Sequence, residues 1–408
     1  MMINRWQAEK LKRQLALRRG VNLTGARQVG KSTLSKSLDL QNSVLWTLDS
    51  ELVRKAATDD PSSFIKHAPG QTLIIDEIQK VPKLLEAIKI VVDNDNSKGQ
   101  YLLTGSANLR FATRVKESLA GRLGIVRLRP FSLGELNGNT PGFLDAAFGR
   151  DFNQHYAPMD KRDIIHAAFV GGYPEVQHFE QEDRVEWFQT YIDELLTKDI
   201  QEVTEIRKLE VLRSVAVWIF AHTSQFFAAN ELAAKVSIAK ETLQNYFDAL
   251  KAMYLYDSVP AWAKSDYALI GKRAKFVAAD SGLVAASLRW RESDVYLDET
   301  KNGKLVETWA YNQLAAIMDT SSEYSVSHYR DSQKREIDFL IEKIGDSALL
   351  GIEVKAGQAS LDDFKHLKWF AANLAKDRPF TGIVLYSGEH TLTFGEGFYA
   401  VPLAALGA

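Results

Sequence analysis

The chain has 408 residues, of which 46% are hydrophobic, 25% charged and none cysteine, and its formal net charge is −2. That length calls for two or three domains, the composition excludes a disordered or low-complexity chain, and the lack of cysteine excludes disulfides and thiolate metal sites. The charge gives no global basic excess for nucleic acid, and with no apolar run near the roughly 20 residues of a membrane helix and no signal-peptide core, a cytoplasmic protein is expected.

Residues 1–135 alternate short apolar runs with helical stretches. The runs are Val21–Thr24, Val44–Asp49, Thr72–Asp76, Tyr101–Thr104 and Ile125–Leu128. This rhythm predicts a parallel α/β sheet with helices on both faces. Directly after the first run comes Gly25-Ala26-Arg27-Gln28-Val29-Gly30-Lys31-Ser32, with a helix expected over Thr33–Leu38. The octapeptide fits G-x-x-x-x-G-K-[ST], in the strand-to-helix context that pattern needs. Its glycines let backbone N–H groups wrap phosphates at the positive end of a helix. Lys31 is expected to reach the β and γ phosphates, and the Ser32 hydroxyl to ligate Mg²⁺.

The third run ends in Asp76 and Glu77. Asp76 is expected to hold Mg²⁺ through water, and Glu77 to polarise the attacking water. Thr104 and Ser106, at the end of the fourth run, are candidates to sense the γ-phosphate or simply close a turn. Arg122, in Leu119-Ala120-Gly121-Arg122-Leu123, reads either as an arginine finger for a neighbouring subunit or as a solvated surface residue. With no Asn-Lys-x-Asp motif for guanine, ATP is the expected nucleotide.

Residues 136–208 read as a linker, Leu136–Phe143, and a helical lid interrupted by a turn at Gly171-Gly172-Tyr173-Pro174. Residues 209–300 have the rhythm of a winged helix-turn-helix. Its candidate recognition helix, Ile238–Leu250, carries Lys240, Gln244 and Asn245, with Lys235, Lys251, Lys264, Lys272, Arg273 and Lys275 around it. Such residues contact DNA phosphates and bases, while Glu241 and Asp248 on the same helix suit a protein partner.

From residue 301 a second α/β domain begins, with a helix over Leu305–Met318 and strands over Ser325–Arg330, Glu336–Ile341 and Leu349–Val354. A helix over Leu361–Leu374 and a strand over Gly382–Tyr386 follow. Glu307 falls on the first helix, Asp338 on the second strand, and Glu353 and Lys355 two apart on the third, facing one way. Glu307, Asp338 and Glu353 are candidate Mg²⁺ ligands, and Asp338, Glu353 and Lys355 the acting groups of a phosphodiesterase. A cross-strand salt-bridge group is the alternative reading. The eight histidines show no spacing suited to zinc.

The segments GARQVGKSTL, LIIDEIQKVP, YLLTGSANL and SLAGRLGIVRLRPFSLGEL resemble prokaryotic AAA+ P-loop ATPases that carry a C-terminal domain related to PD-(D/E)XK nucleases. FVGGYPEV and KFVAADSGLVAASL resemble the middle region of the same proteins. The resemblance implies an AAA+ core over 1–135, a lid, a winged-helix-like region over 209–300 and a nuclease-like domain over 301–408. It also implies ATP and Mg²⁺, and ring-like or transient homo-oligomers. Two functions follow: an ATPase coupled to a nuclease-like module acting on DNA, or an ATP-gated switch that binds DNA or protein without cleaving it.

Overall fold

Runs that are apolar on both faces take the middle of a parallel sheet. β1 (Gly20–Thr24) and β4 (Tyr101–Gly105) are buried at every residue and β3 (Thr72–Asp76) at all but its first. The more exposed β2 (Ser43–Thr47) and β5 (Leu123–Arg127) form the edges. In the computed structural model, which describes residues 3–38, 40, 42–105, 121–153, 155–200, 206, 208–227, 229–264 and 273–408, these strands run parallel in the order β2-β3-β4-β1-β5. Side chains alternate across the sheet. Val21, Leu23, Leu102 and Val126 join one core with Leu34 of the Lys31–Ser37 helix, while Leu73, Ile75 and Leu103 join another with Leu84 and Ile88 of the Lys83–Asn94 helix. Since β4 separates β3 from β1, Thr104 stands between the P-loop strand and the strand ending in Asp76.

Three helices, Leu209–Ala221, Ala229–Lys235 and Lys240–Ala252, precede an antiparallel hairpin of β6 (Tyr256–Val259) and β7 (Lys275–Ala278). The expected turn at residues 171–174 buries Tyr173 completely against Trp187, Phe188 and Tyr191. Gly172 is required there, because a Cβ would stand 2.2 Å from the Phe131 carbonyl oxygen. Its N–H donates to Asp280 Oδ2 (2.7 Å), while Asp280 Oδ1 accepts from Leu283 N (2.9 Å) and caps the Ser281–Ser287 helix. The two middle-region motifs therefore meet in space. Burial pushes the Asp280 carboxyl up to about 6, against the pull of the N–H groups of Gly172, Leu283 and Gly282.

In the C-terminal unit the helix Glu299–Met318 begins earlier than its apolar pattern, because Asp298 caps it through Thr300 and Lys301. It packs on a mixed sheet of β8 (Tyr324–Arg330), β9 (Glu336–Lys343), β10 (Leu349–Val354), β11 (Phe380–Tyr386), β12 (Leu392–Thr393) and β13 (Phe398–Pro402). The order is β12-β13-β11-β10-β9-β8, with β10, β11 and β13 parallel. The Lys365–Asn373 helix covers the other face with Leu367 and Phe370.

Ion pairs bind the units together. Asp257 of β6 accepts from Arg127 (2.8 Å) and Arg129 (2.6 Å) of the N-terminal unit, and Arg129 also reaches Asp319 (2.6 Å) at the end of the long helix. Burial alone would raise Asp257, but the two guanidiniums hold it well below the usual carboxylate range. No helix among the described residues is long and apolar enough to cross a membrane.

Candidate functional site

The P-loop turns out of β1 at Gly25, whose φ of 150° suits glycine and whose missing Cβ would stand 2.1 Å from the Leu128 carbonyl oxygen. The chain then enters the Lys31–Ser37 helix with Lys31 buried. Lys31 Nζ donates to the carbonyl oxygens of Gly25 (3.0 Å) and Ala26 (2.7 Å). Burial pushes its ammonium down to about 8, opposed by Glu77 and Asp76. Ser32 Oγ donates to Asp76 Oδ2 at 2.9 Å and Oδ1 at 3.1 Å. Thr104, fully buried, donates to the same carboxylate. Glu77 follows with φ 59° and accepts from Gln79. The side chains of Lys31, Ser32, Asp76, Glu77 and Thr104 thus gather at one end of the sheet, around a cleft of ≈ 490 Å³ lined by Arg27, Gln28, Gly30, Lys31, Ser32, Thr33, Asp49, Glu77, Gln79 and Lys80 together with Pro174, Glu175 and Asp199. Its size and its hydroxyl–carboxylate pair fit a nucleotide with a hard metal ion. Ser106 lies outside the described residues.

Arg122 is elsewhere. It precedes Leu123, which pairs with Gly20 at the start of β1, so it stands at the sheet end opposite the cleft. There it is ion-paired with Asp93, at 3.0 Å through Nη2.

Several groups at the cleft carried no local signal. Arg27 Nη1 contacts Asp199 at 3.0 Å and Glu194 at 3.6 Å. These carboxylates end the Gln181–Glu194 helix and the π-helical turn Leu195–Asp199 that extends it. Tyr191 donates to the Arg27 carbonyl oxygen (3.1 Å). Behind the loop, buried Arg5 donates to the carbonyl oxygens of Val29 (2.7 Å) and Arg129 (2.5 Å) and pairs with buried Glu135 (3.0 Å). The separations, 172 residues for Arg27 and Asp199 and 130 for Arg5 and Glu135, hide both pairs from any motif.

The P-loop segment has a counterpart among known sequences. Residues 18–137 match the AAA domain. This AAA domain is of the P-loop ATPase type, and it is followed by matches to two domains of unknown function, DUF8612 over 161–294 and DUF4143 over 302–406. Uncharacterized proteins of Mycobacterium bovis and Mycobacterium tuberculosis are each 26% identical over 413 residues, spanning 98% of this chain and 84% of the relative. Among solved structures, a Walker-type ATPase of Pyrococcus abyssi shares 16% identity with a TM-score of 0.43, covering 70% of this chain and 96% of that one. The Hsp104–ADP complex of S. cerevisiae shares 12% with a TM-score of 0.29, covering 78% and 44%. Both scores fall below 0.5, so the AAA-type reading rests on the domain match and the residues of the cleft.

In the C-terminal unit Glu307, Asp338 and Glu353 converge, but with a cation among them. Lys275 of β7, expected from sequence near a DNA-facing helix, is wholly buried. The reason is that the hairpin turns this strand inward against the Glu299–Met318 helix. Its Nζ lies 2.5 Å from Glu307 and 3.1 Å from Asp338. Asp338 Oδ2 accepts from Val354 N (3.0 Å), whereas buried Glu353 Oε1 has no hydrogen-bond partner among the described residues. Burial, and then the Asp338 charge, push Glu307 up to about 8 and Glu353 well above the carboxylate range. Lys355 faces Asp363 at 3.5 Å. The set does not fit a metal as it stands, since an ammonium already fills the space between Glu307 and Asp338 and a backbone N–H holds the other Asp338 oxygen. On the Lys240–Ala252 helix, Lys240, Glu241, Gln244, Asn245 and Asp248 are all exposed, and Gln244 donates to Asp248 (3.1 Å). Lys272 lies outside the described residues.

Proposed function

We propose that this chain is an ATP-hydrolysing switch, in which the nucleotide at the AAA domain sets the position of the lid and, through it, of the middle and C-terminal units that bind a partner. The observation that carries this reading is Arg27: a P-loop side chain in the nucleotide cleft, held by two carboxylates of the lid. In it the loop amides and Lys31 hold the phosphates, Ser32 would hold Mg²⁺ directly and Asp76 through water, and Glu77 is the general base. Thr104, bonded to Asp76, positions that carboxylate and reports on the γ-phosphate. Mg²⁺ would supply charge neutralisation at the β and γ phosphates.

The test is ATP turnover and nucleotide binding. Lys31→Ala should abolish turnover, and Glu77→Gln should retain bound ATP while slowing hydrolysis by about 100-fold or more. Normal turnover in Glu77→Gln removes it as the base, and unchanged binding and turnover in Lys31→Ala remove the site.

An ATPase coupled to a metal-dependent nuclease on DNA is the second reading, favoured by the convergence of Glu307, Asp338 and Glu353. The engagement of Glu307 and Asp338 by Lys275, and the mixed charge of the exposed Lys240–Ala252 face, weigh toward the switch. DNA cleavage with Mg²⁺ or Mn²⁺, lost in Asp338→Ala, would reverse that preference. In either reading Arg122 serves as a finger only across a subunit interface, and only when released from Asp93.

A further inference from the structure

Lys275 begins on β7, in the hairpin behind the middle helices, and its side chain ends inside the C-terminal unit. The ammonium stands 2.5 Å from Glu307 Oε1, 3.1 Å from Asp338 Oδ1 and 3.5 Å from Glu336 Oε1. The rings of Phe339 and Phe226 lie 5.6 and 5.7 Å from it. A lysine is almost never fully buried unless paired, and here three carboxylates from two elements converge on one ammonium. An ammonium offers three donors and no open coordination position, so it satisfies these oxygens without being able to polarise a water as a Lewis acid would.

We propose that the Lys275 ammonium takes, as a tethered cation, the place between Glu307 and Asp338 that a divalent metal occupies in a nuclease, and that the acids are a docking socket for the β6–β7 hairpin. Both occupants are hard cations held by carboxylate oxygens, the ammonium with one positive charge and the metal with two. What differs is attachment. The metal would come from solvent, whereas Lys275 is carried on a strand paired with β6 and packed against the Glu299–Met318 helix. Withdrawing it would strand buried acids without a counter-charge, which is strongly unfavourable. Lys355, the lysine of the E-x-K pattern, forms its ion pair with Asp363 at 3.5 Å, while, against burial, the nearby Glu353 and Asp338 charges also hold its ammonium up. This inference stands on the C-terminal geometry and is independent of the nucleotide site.

Mn²⁺ binding to the nucleotide-free full chain, counted by electron paramagnetic resonance, tests it. Wild type and Asp338→Asn should bind the same number of Mn²⁺ equivalents, since Asp338 is already engaged. Lys275→Met should gain one equivalent that the double variant Lys275→Met/Asp338→Asn lacks. An equivalent present in wild type and removed by Asp338→Asn overturns the proposal, as does the absence of any gain in a folded Lys275→Met. Should Lys275→Met not fold, reductive methylation of wild type read by mass spectrometry decides. Lys275 must stay unmodified under conditions that methylate exposed Lys240, and modification of both at equal rates refutes the socket.

Discussion

Asp280 holds two backbone N–H groups on one buried carboxyl, joining the glycine turn to the cap of the Ser281–Ser287 helix. Burial raises it to about 6 from the ordinary 3.8. Protonation therefore favours the folded state: this contribution is complete below the unfolded value and is lost as pH rises through about 6. The span corresponds to about 3 kcal/mol. Compared with Asp280→Asn, which does not titrate, wild type should lose most of that amount, about 2 kcal/mol, between pH 4 and pH 7. Urea midpoints of the two proteins across this range check it, and a gap that stays constant with pH would mean that Asp280 is ionised throughout.

Between the P-loop and the lid, Arg27 is shared by a motif and by two distant acids. In the proposed switch polyphosphate would compete with Asp199 for the same guanidinium, so Asp199→Asn should bind nucleotide more tightly by about fivefold, equivalent to ~1 kcal/mol for a partly exposed pair. Titration with a fluorescent ATP analogue measures this; weaker binding would show that Asp199 assists the nucleotide. The same contrast marks what the sequence could disclose. Gly25 to Ser32, and Asp76 with Glu77, were legible because each group is contiguous and sits where a buried strand ends, and the strands were legible because their burial is periodic. Asp199, Glu194 and Arg5 were not, because their partners lie more than a hundred residues away and a lone carboxylate or arginine has no pattern. The inward course of Lys275 is hidden for a related reason: composition shows a basic neighbourhood but not which way a short hairpin strand turns. The apolar positions of the long C-terminal helix mark its body but not its start, where the polar first turn depends on the Asp298 cap.

Across the whole molecule, the AAA domain and the units after it share buried charge. Asp257 is the hinge pin of that arrangement, accepting from Arg127, Arg129 and Tyr311. Asp257→Ala leaves two guanidiniums short of a partner in a buried setting and should cost about 3–5 kcal/mol, read as a lowered urea midpoint. A loss below ~1 kcal/mol would mean that solvent already reaches the cluster. The β6–β7 hairpin therefore plugs in at both ends, an acid of β6 into the AAA domain and a base of β7 into the C-terminal socket. The consequence concerns where this chain can be cut. A fragment starting at residue 302, the natural seam by sequence matching, would keep Glu307 and Asp338 but leave their cation on the discarded side. To trade C-terminal modules between relatives, the splice belongs upstream of Tyr256, so that the hairpin travels with the acids it neutralises.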